Sequence, residues 1–264
     1  MNRLLALVLV PAILVGAPRA DINQRLTNNV KSVELAKELW EKAIEAKGGR
    51  KRLYAVNSLA ISYDLNKKNR TSSNLYVFPN KCWVWADHRP YKFGLITYMQ
   101  NHDLKVEYTV YGNDPDNPHE LELKPEKKSE IDDAQLYYLL ETKWLQPVIL
   151  KAYEGYIGQK RVDIIDVKVN NQKIAVFLDK RNHLPIRISY FSAYKTDQVL
   201  DWYGLSDYRE VAGVTMPHSF NINGNGWVPI KVEINPQYNP QVFERPPSIK
   251  AGPEQWRGAA KVSK

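Results

Sequence analysis

The chain of 264 residues contains one cysteine, Cys82, and only 13 glycines. A single thiol excludes an intramolecular disulfide, so stability has to come from an apolar core, and a chain of this length can bury one. Cys82 stands among aromatics in Lys81-Cys82-Trp83-Val84-Trp85, which suits a small buried apolar residue better than a nucleophile. Scarce glycine beside 16 tyrosines and 7 tryptophans excludes a flexible low-complexity chain and favours strands. A mean hydropathy of −0.48 and the lack of a run of about 20 apolar residues exclude a membrane-embedded helical protein.

Signatures of chemistry are also lacking. His88, His102, His119, His183 and His218 show no shared metal-ligand spacing and no HExxH pattern. There is no GxSxG elbow, P-loop or dinucleotide fingerprint, and Gly224-Asn225-Gly226 is too short to cradle a phosphate. Pairs such as Asp163 and Asp166, or Asp201 and Asp207, read as solvated strand positions, since nothing around them argues for a shifted pKa. The reading is a protein that is not an enzyme, with no catalytic residue, metal or cofactor.

What is present begins with Met1–Ala20. Arg3 precedes the apolar run Leu4–Val15, which is short for a membrane span, and Ala20 suits a cleavage point although Pro18 two places earlier does not; this predicts a secretory signal peptide and a periplasmic protein, with an uncleaved N-terminal anchor as the alternative. The whole chain carries 37 Lys+Arg against 29 Asp+Glu, and removal of Arg3 and Arg19 leaves 35 against 29. A basic mature protein is drawn to anionic envelope surfaces, so peripheral membrane contact is expected. The basic residues are scattered and form no nucleic-acid motif, which argues against that partner.

Asp21–Lys47 is predicted to be helical, because Val33, Ala36, Leu39, Trp40, Ala43 and Ile44 recur at three- and four-residue steps. Gly48-Gly49 ends it. From Ser58 the period becomes two, and strands are expected at Leu59–Leu65, Asn74–Phe78, Cys82–Ala86, Lys92–Gln100 and Leu104–Tyr111. Gly112–Glu130 reads as a long polar loop. Ile131–Leu145 reads as a second helix, apolar most of the way round and therefore covered on more than one side. Val148–Ala152 prolongs its apolar stretch. Strands return at Tyr156–Asn170, where adjacent Ile164 and Ile165 suggest a bulge, and continue as the hairpin Gln172–Phe191, Val199–Glu210, Gly213–Asn223 and Trp227–Asn235. A proline-rich tail follows from Pro236 to Lys264. No Gly/Ser linker divides residues 21–264, so one domain is expected.

Aromatics are the most suggestive residues. Trp83, Trp85, Tyr98, Tyr108, Tyr190, Trp202 and Tyr203 fall on expected strands, and Tyr137, Tyr138 and Trp144 on the enclosed helix. Tyr and Trp join a large apolar body to a polar tip, which suits both a core and a ligand cavity. For any one of them core filling is the plainer reading. As a set, a curved sheet and an apolar helix can enclose a cavity. The candidate ligand-binding residues are Trp83, Trp85, Tyr98, Tyr108, Tyr137, Leu140, Trp144, Tyr190 and Trp202.

The order of several short runs resembles the LolA/LolB-like superfamily, in particular the outer-membrane lipoprotein-sorting proteins. The runs are Ala46-Lys47-Gly48-Gly49 leading to Val56-Asn57-Ser58-Leu59, then Phe177-Leu178-Asp179 and Asn182-His183-Leu184-Pro185-Ile186-Arg187. Gly213-Val214-Thr215-Met216-Pro217, Val232-Glu233-Ile234-Asn235-Pro236 and Phe243-Glu244-Arg245-Pro246 complete them. The resemblance implies a mainly β (α+β) fold, a curved antiparallel sheet forming an open half-barrel with helices in its concave mouth and Ile131–Leu145 as lid. It further implies a periplasmic carrier for lipoprotein acyl chains, lipid or another apolar ligand. The alternative it leaves is an envelope interaction or stress-sensing module that grips a protein and carries no lipid. Residues 67–128 show no motif of a dedicated lipoprotein chaperone.

Overall fold

The computed structural model describes residues 30–31, 33–65, 70–88, 91–100, 103–110, 119–122, 129–191, 199–244 and 252–257; over 91–100, 103–110 and 119–122 the description is of backbone and register. The expected signal peptide therefore lies outside the described residues. No helix among those described is long and apolar enough to cross a membrane.

The strands are β1 (Val30–Lys31), β2 (Ser58–Leu65), β3 (Arg70–Val77), β4 (Lys81–His88), β5 (Tyr91–Gln100), β6 (Asp103–Val110), β7 (His119–Glu122), β8 (Val148–Ile157), β9 (Lys160–Val169) and β10 (Gln172–Asp179). They continue with β11 (Pro185–Phe191), β12 (Val199–Val211), β13 (Val214–Ile222), β14 (Val228–Pro229) and β15 (Lys231–Ile234). The helices are α1 (Val33–Ala46), α2 (Arg50–Tyr54) and α3 (Ser129–Leu139).

All pairings are antiparallel and fall in two runs, β1-β8-β9-β10-β11-β12-β13-β14 and β15-β2-β3-β4-β5-β6-β7. One stretch of chain joins them. Phe220 pairs with Val228, the Ile230 amide donates to the His218 carbonyl at 2.8 Å, and Val232 then pairs with Ile61. Trp227–Asn235, expected as one strand, thus leaves the first run at Ile230 and enters the second. The result is a curved antiparallel sheet whose end strands, among the described residues, do not meet.

One face carries the main core. Leu59, Ile61, Cys82 and Val84 from β2 and β4, Ile165 and Val167 from β9, and Ile174, Val176 and Leu178 from β10 pack with Ala36, Trp40, Ala43 and Ile44 of α1 and Leu136 and Leu139 of α3. Both helices lie on this concave face, α1 against β8 and β9 and α3 against β13. The opposite face is covered in places too. Leu75, Trp83 and Trp85 pack under Phe243 and Trp256 of the tail, and Val162, Ile164, Ala175 and Phe177 form a third cluster. Adjacent Ile164 and Ile165 therefore mark a strand buried on both faces rather than a bulge; β9 and β10 keep register through them. Val148–Ala152 belongs to strand β8, and His119–Glu122, inside the expected loop, pairs with β6.

Six of the runs that carry the family resemblance meet in pairs. Gly48 and Gly49 have φ of +116° and +85°, and the Thr215 amide donates to the Lys47 carbonyl at 2.9 Å. Asn235, at φ +50°, accepts from the amides of Asn57 (2.7 Å) and Ser58 (3.1 Å) and donates to the Ala55 carbonyl. In the β10–β11 turn Asp179 accepts from the Arg181 amide and from Lys160 Nζ. Burial alone would raise that carboxyl, but these donors outweigh it and hold its pKa at about 2.

Lys47 is fully buried, donates to the Thr215 carbonyl oxygen and lies 5.2 Å from the centre of the Tyr208 ring. Burial lowers its pKa from 10.5 to about 7. Between these values the unfolded chain holds a proton that the folded chain does not, so this group makes stability rise with pH across that window. The slope is at most about 1.4 kcal/mol per pH unit. Below pH 7 both states are protonated and the cost of burial is fully present. Lys47→Met is expected to stabilise the protein at pH 6 by roughly 1–3 kcal/mol, the lost hydrogen bond offsetting part of the gain. It should also flatten the rise from pH 7 to 10, as urea midpoints over that range will show.

Candidate functional site

The concave mouth is the candidate site, and α3 sits in it. Ile131, Ala134, Leu136, Leu139 and Leu140 are buried, as are the polar Asp132 and Gln135. The helix ends at Leu139, earlier than the expected Leu145. Leu140 takes φ +68° with its amide bonded to the Leu136 carbonyl, and the chain then turns away. A left-handed residue commonly closes a helix, but glycine or asparagine is the usual signal, and leucine gave none.

Beside α3 runs an aromatic row drawn from five elements, α3, β2, β11, β12 and β13. Tyr137 packs on Tyr203 (ring centres 4.3 Å apart) and Tyr190 (5.7 Å), and Tyr138 stands next to it at 6.5 Å. Tyr63 of β2 meets Phe220 of β13 edge to face at 5.7 Å across the junction of the two strand runs. Tyr63, Tyr137, Tyr138, Tyr203 and Phe220 keep partial exposure. Burial raises the phenol of Tyr63 to about 12 and also pushes up those of Tyr137, Tyr138 and Tyr190, so all stay neutral at physiological pH. The surface is apolar, with hydroxyls that donate but carry no charge.

Polar contacts hold α3 at discrete points. Tyr190 Oη donates to Asp133 Oδ1 at 2.9 Å, Asn170 Nδ2 to Asp132 Oδ2 at 2.5 Å, and Thr142 Oγ1 to Gln135 Oε1 at 2.6 Å. Just past the helix, Glu141 accepts from Trp40 Nε1 (2.9 Å), Arg50 Nε (2.8 Å) and Tyr54 Oη (2.5 Å), and Arg50 also bridges to Glu41. Burial would raise the Glu141 pKa, yet the three donors bring it below the ordinary value. These latches tie the end of α3 to α1 and α2.

Of the residues expected to bind ligand, Tyr137, Leu140 and Tyr190 reach the mouth, and Trp144 stands at its edge, 6.0 Å from Phe78. Trp83 and Trp85 lie on the other face beneath the tail, and Trp202 is also on that face, beside Arg187. Period-two alternation tells which residues share a face but not which face is concave. Tyr98 and Tyr108 are paired with Lys105 and Leu95, and their side chains lie outside what is described. Tyr63, Phe220, Asp133 and Glu141 went unrecognised. Tyr63 and Phe220 belong to clean alternations, whereas nothing in the sequence marks the two carboxylates.

Among the described residues no group of three His, Cys, Asp or Glu side chains is placed to hold a metal ion. No family model matches the sequence, and no curated protein matches it significantly. Solved structures similar in fold include a DUF1329 family protein from Desulfovibrio piger, at 10% identity and a TM-score of 0.44, covering 81% of this chain and 97% of that one. Another is an outer membrane lipoprotein-sorting protein domain from Vibrio parahaemolyticus, at 12% and 0.42, covering 80% and 97%. A third is a LolA superfamily protein from Nitrosomonas europaea, at 13% and 0.41, covering 79% and 96%.

Proposed function

We propose that the protein is a periplasmic carrier that binds an acyl chain, lipid or similar apolar ligand in the concave mouth, with α3 as the element that gives way. The observation that supports this is a helix with no exposed residue from Ile131 to Leu139, lodged against a neutral aromatic row and held by a few polar latches. An apolar chain that takes its place gains about 0.8 kcal/mol per methylene sequestered. The latches then set how much of that gain is spent in opening. The reading is non-enzymatic.

Tyr190→Phe removes one latch, worth about 1 kcal/mol, and leaves the ring packing in place. It is expected to tighten binding of a fluorescent fatty acid by roughly fivefold while lowering the stability of the empty protein by a similar free energy. Identical affinity in wild type and variant would remove α3 from the binding step. Native mass spectrometry of protein purified from its own envelope, followed by organic extraction, tests for cargo. A co-purifying lipid or acylated peptide supports the carrier; an empty protein that also ignores added fatty acid counts against it.

A protein-binding reading has one observation in its favour. Strand β1 pairs with β8 only at Tyr153 and Ala152, so among the described residues Val148–Lys151 have no paired strand on that edge, and Val148 and Leu150 are exposed there. An open edge of this kind accepts an added strand. Pull-down of an envelope protein, lost on Leu150→Lys, would support it over lipid carriage.

A further inference from the structure

The convex face holds a buried cation for which the mouth has no use. Arg187 of β11 is 4% exposed, and its guanidinium lies 5.3 Å from the Phe177 ring centre and 4.5 Å from that of Trp202. Its Nε donates to Ser189 Oγ at 2.9 Å, whereas its Nη2 is buried without a hydrogen-bond partner. No carboxylate of the described residues pairs with it. A buried charge left without a counter-ion is costly, and stacking on aromatic rings offsets only part of that cost. Burial pulls its pKa down to about 10, so it remains a cation at neutral pH.

A second unpaired group stands across from it. Arg187 pairs in register with Gly204 of β12, and Gly204 with Asn221 of β13, so the three share a face. Asn221 is also buried, and its Oδ1 has no partner. Between them the missing side chain of Gly204 leaves a floor on which Trp202, Trp227 and Asn221 converge. A Cβ built there would lie 3.1 Å from Trp227 Cη2, 3.3 Å from Trp202 Cζ3 and 3.4 Å from Asn221 Cβ. Trp227 is 53% exposed and follows the turn Gly224–Gly226, whose glycines have φ of +81° and +100°. Its indole closes the floor from the solvent side without being packed into the core.

From this we infer that Arg187, Asn221 and the Trp202–Trp227 pair form a binding site for a small carboxylate with a flat apolar body. The carboxylate accepts from Arg187 Nη2, and the Asn221 amide turns to donate a second bond. The apolar body takes the place of the Trp227 ring over Gly204 or stacks on it. One unpaired positive charge calls for one negative charge, which favours a carboxylate over a phosphate dianion. The site faces away from the mouth, and its occupancy is independent of any chain carried there.

The test is a titration of the purified protein with sodium benzoate, and separately with sodium phosphate, at ionic strength held constant with sodium chloride. Tryptophan fluorescence and melting temperature are the readouts. Benzoate is expected to give a saturable fluorescence change and a rise in melting temperature, with phosphate giving neither. Arg187→Met, of similar length and without the charge, is expected to weaken binding by on the order of tenfold or more. Asn221→Ala is expected to weaken it several-fold and decides the matter if the first variant does not fold. An equal benzoate response in these variants, no saturable response in the wild type, or a stronger response to phosphate would overturn the assignment.

Discussion

Gly48→Ala is expected to destabilise the protein by about 3–5 kcal/mol, or to prevent it from folding. Two costs combine. The backbone at φ +116° is one that a residue with a side chain rarely adopts, and the added Cβ would press into the carbonyl oxygen of Gly213, which is backbone and cannot swing aside. Strained φ costs roughly 1–3 kcal/mol and overpacking about as much again. Gly213 is itself at φ +79°, so the contact joins two tight turns, backbone against backbone. Gly158→Ala is the control: it too has positive φ, but nothing lies within 4 Å, so only the backbone term applies. Guanidinium denaturation of both variants separates clash from strain. Equal losses would show that the approach to Gly213 is not a constraint.

Glu141→Ala is expected to cost roughly 3 kcal/mol, because it strands the donors of Trp40 and Tyr54 and removes the partner of Arg50. Arg50 keeps Glu41 and partial exposure, which limits the loss. The acid dependence gives a second signature. The Glu141 pKa is depressed in the folded state, so its contribution is fully present above the unfolded value of 4.5 and disappears as pH falls through the folded pKa. The wild type should therefore lose more stability than Glu141→Ala as pH drops below 4.5. Melting temperatures at pH 6 and pH 3 check this; parallel losses in both proteins would mean that the carboxylate is not held by its three donors. The variant should also release the end of α3 and raise its hydrogen exchange.

The hairpin Gln172–Phe191 was legible because two apolar, strand-length runs flank a polar turn, although Ile174–Leu178 is buried on both faces and alternation does not mark a wet one. Asp179 and Asn182 take the turn roles their side chains suit, accepting from the Arg181 and Leu184 amides. Gly48-Gly49 was legible as a helix stop, but its contact with Gly213–Thr215 is a tertiary fact that local pattern does not carry. The end of α3 was missed because Leu140 adopts a conformation that leucine does not advertise. The misplacement of Trp83, Trp85 and Trp202 has a different origin. Alternation is symmetric with respect to the two faces, and here the convex face is also apolar, covered by Phe243 and Trp256 at one place and clustered around Phe177 at another. The mouth itself is assembled from β2, β11, β12, β13 and α3, elements distant in the chain, so its aromatic row could be anticipated only as residues and not as a site.

The direct test of the carrier reading is amide hydrogen exchange of the purified protein with and without a saturating long-chain fatty acid. The expected result is loss of protection across Ser129–Leu139 on adding fatty acid, while β9 and β10 keep theirs. Bound fatty acid with unchanged or increased protection of α3 would contradict the account and place the ligand elsewhere.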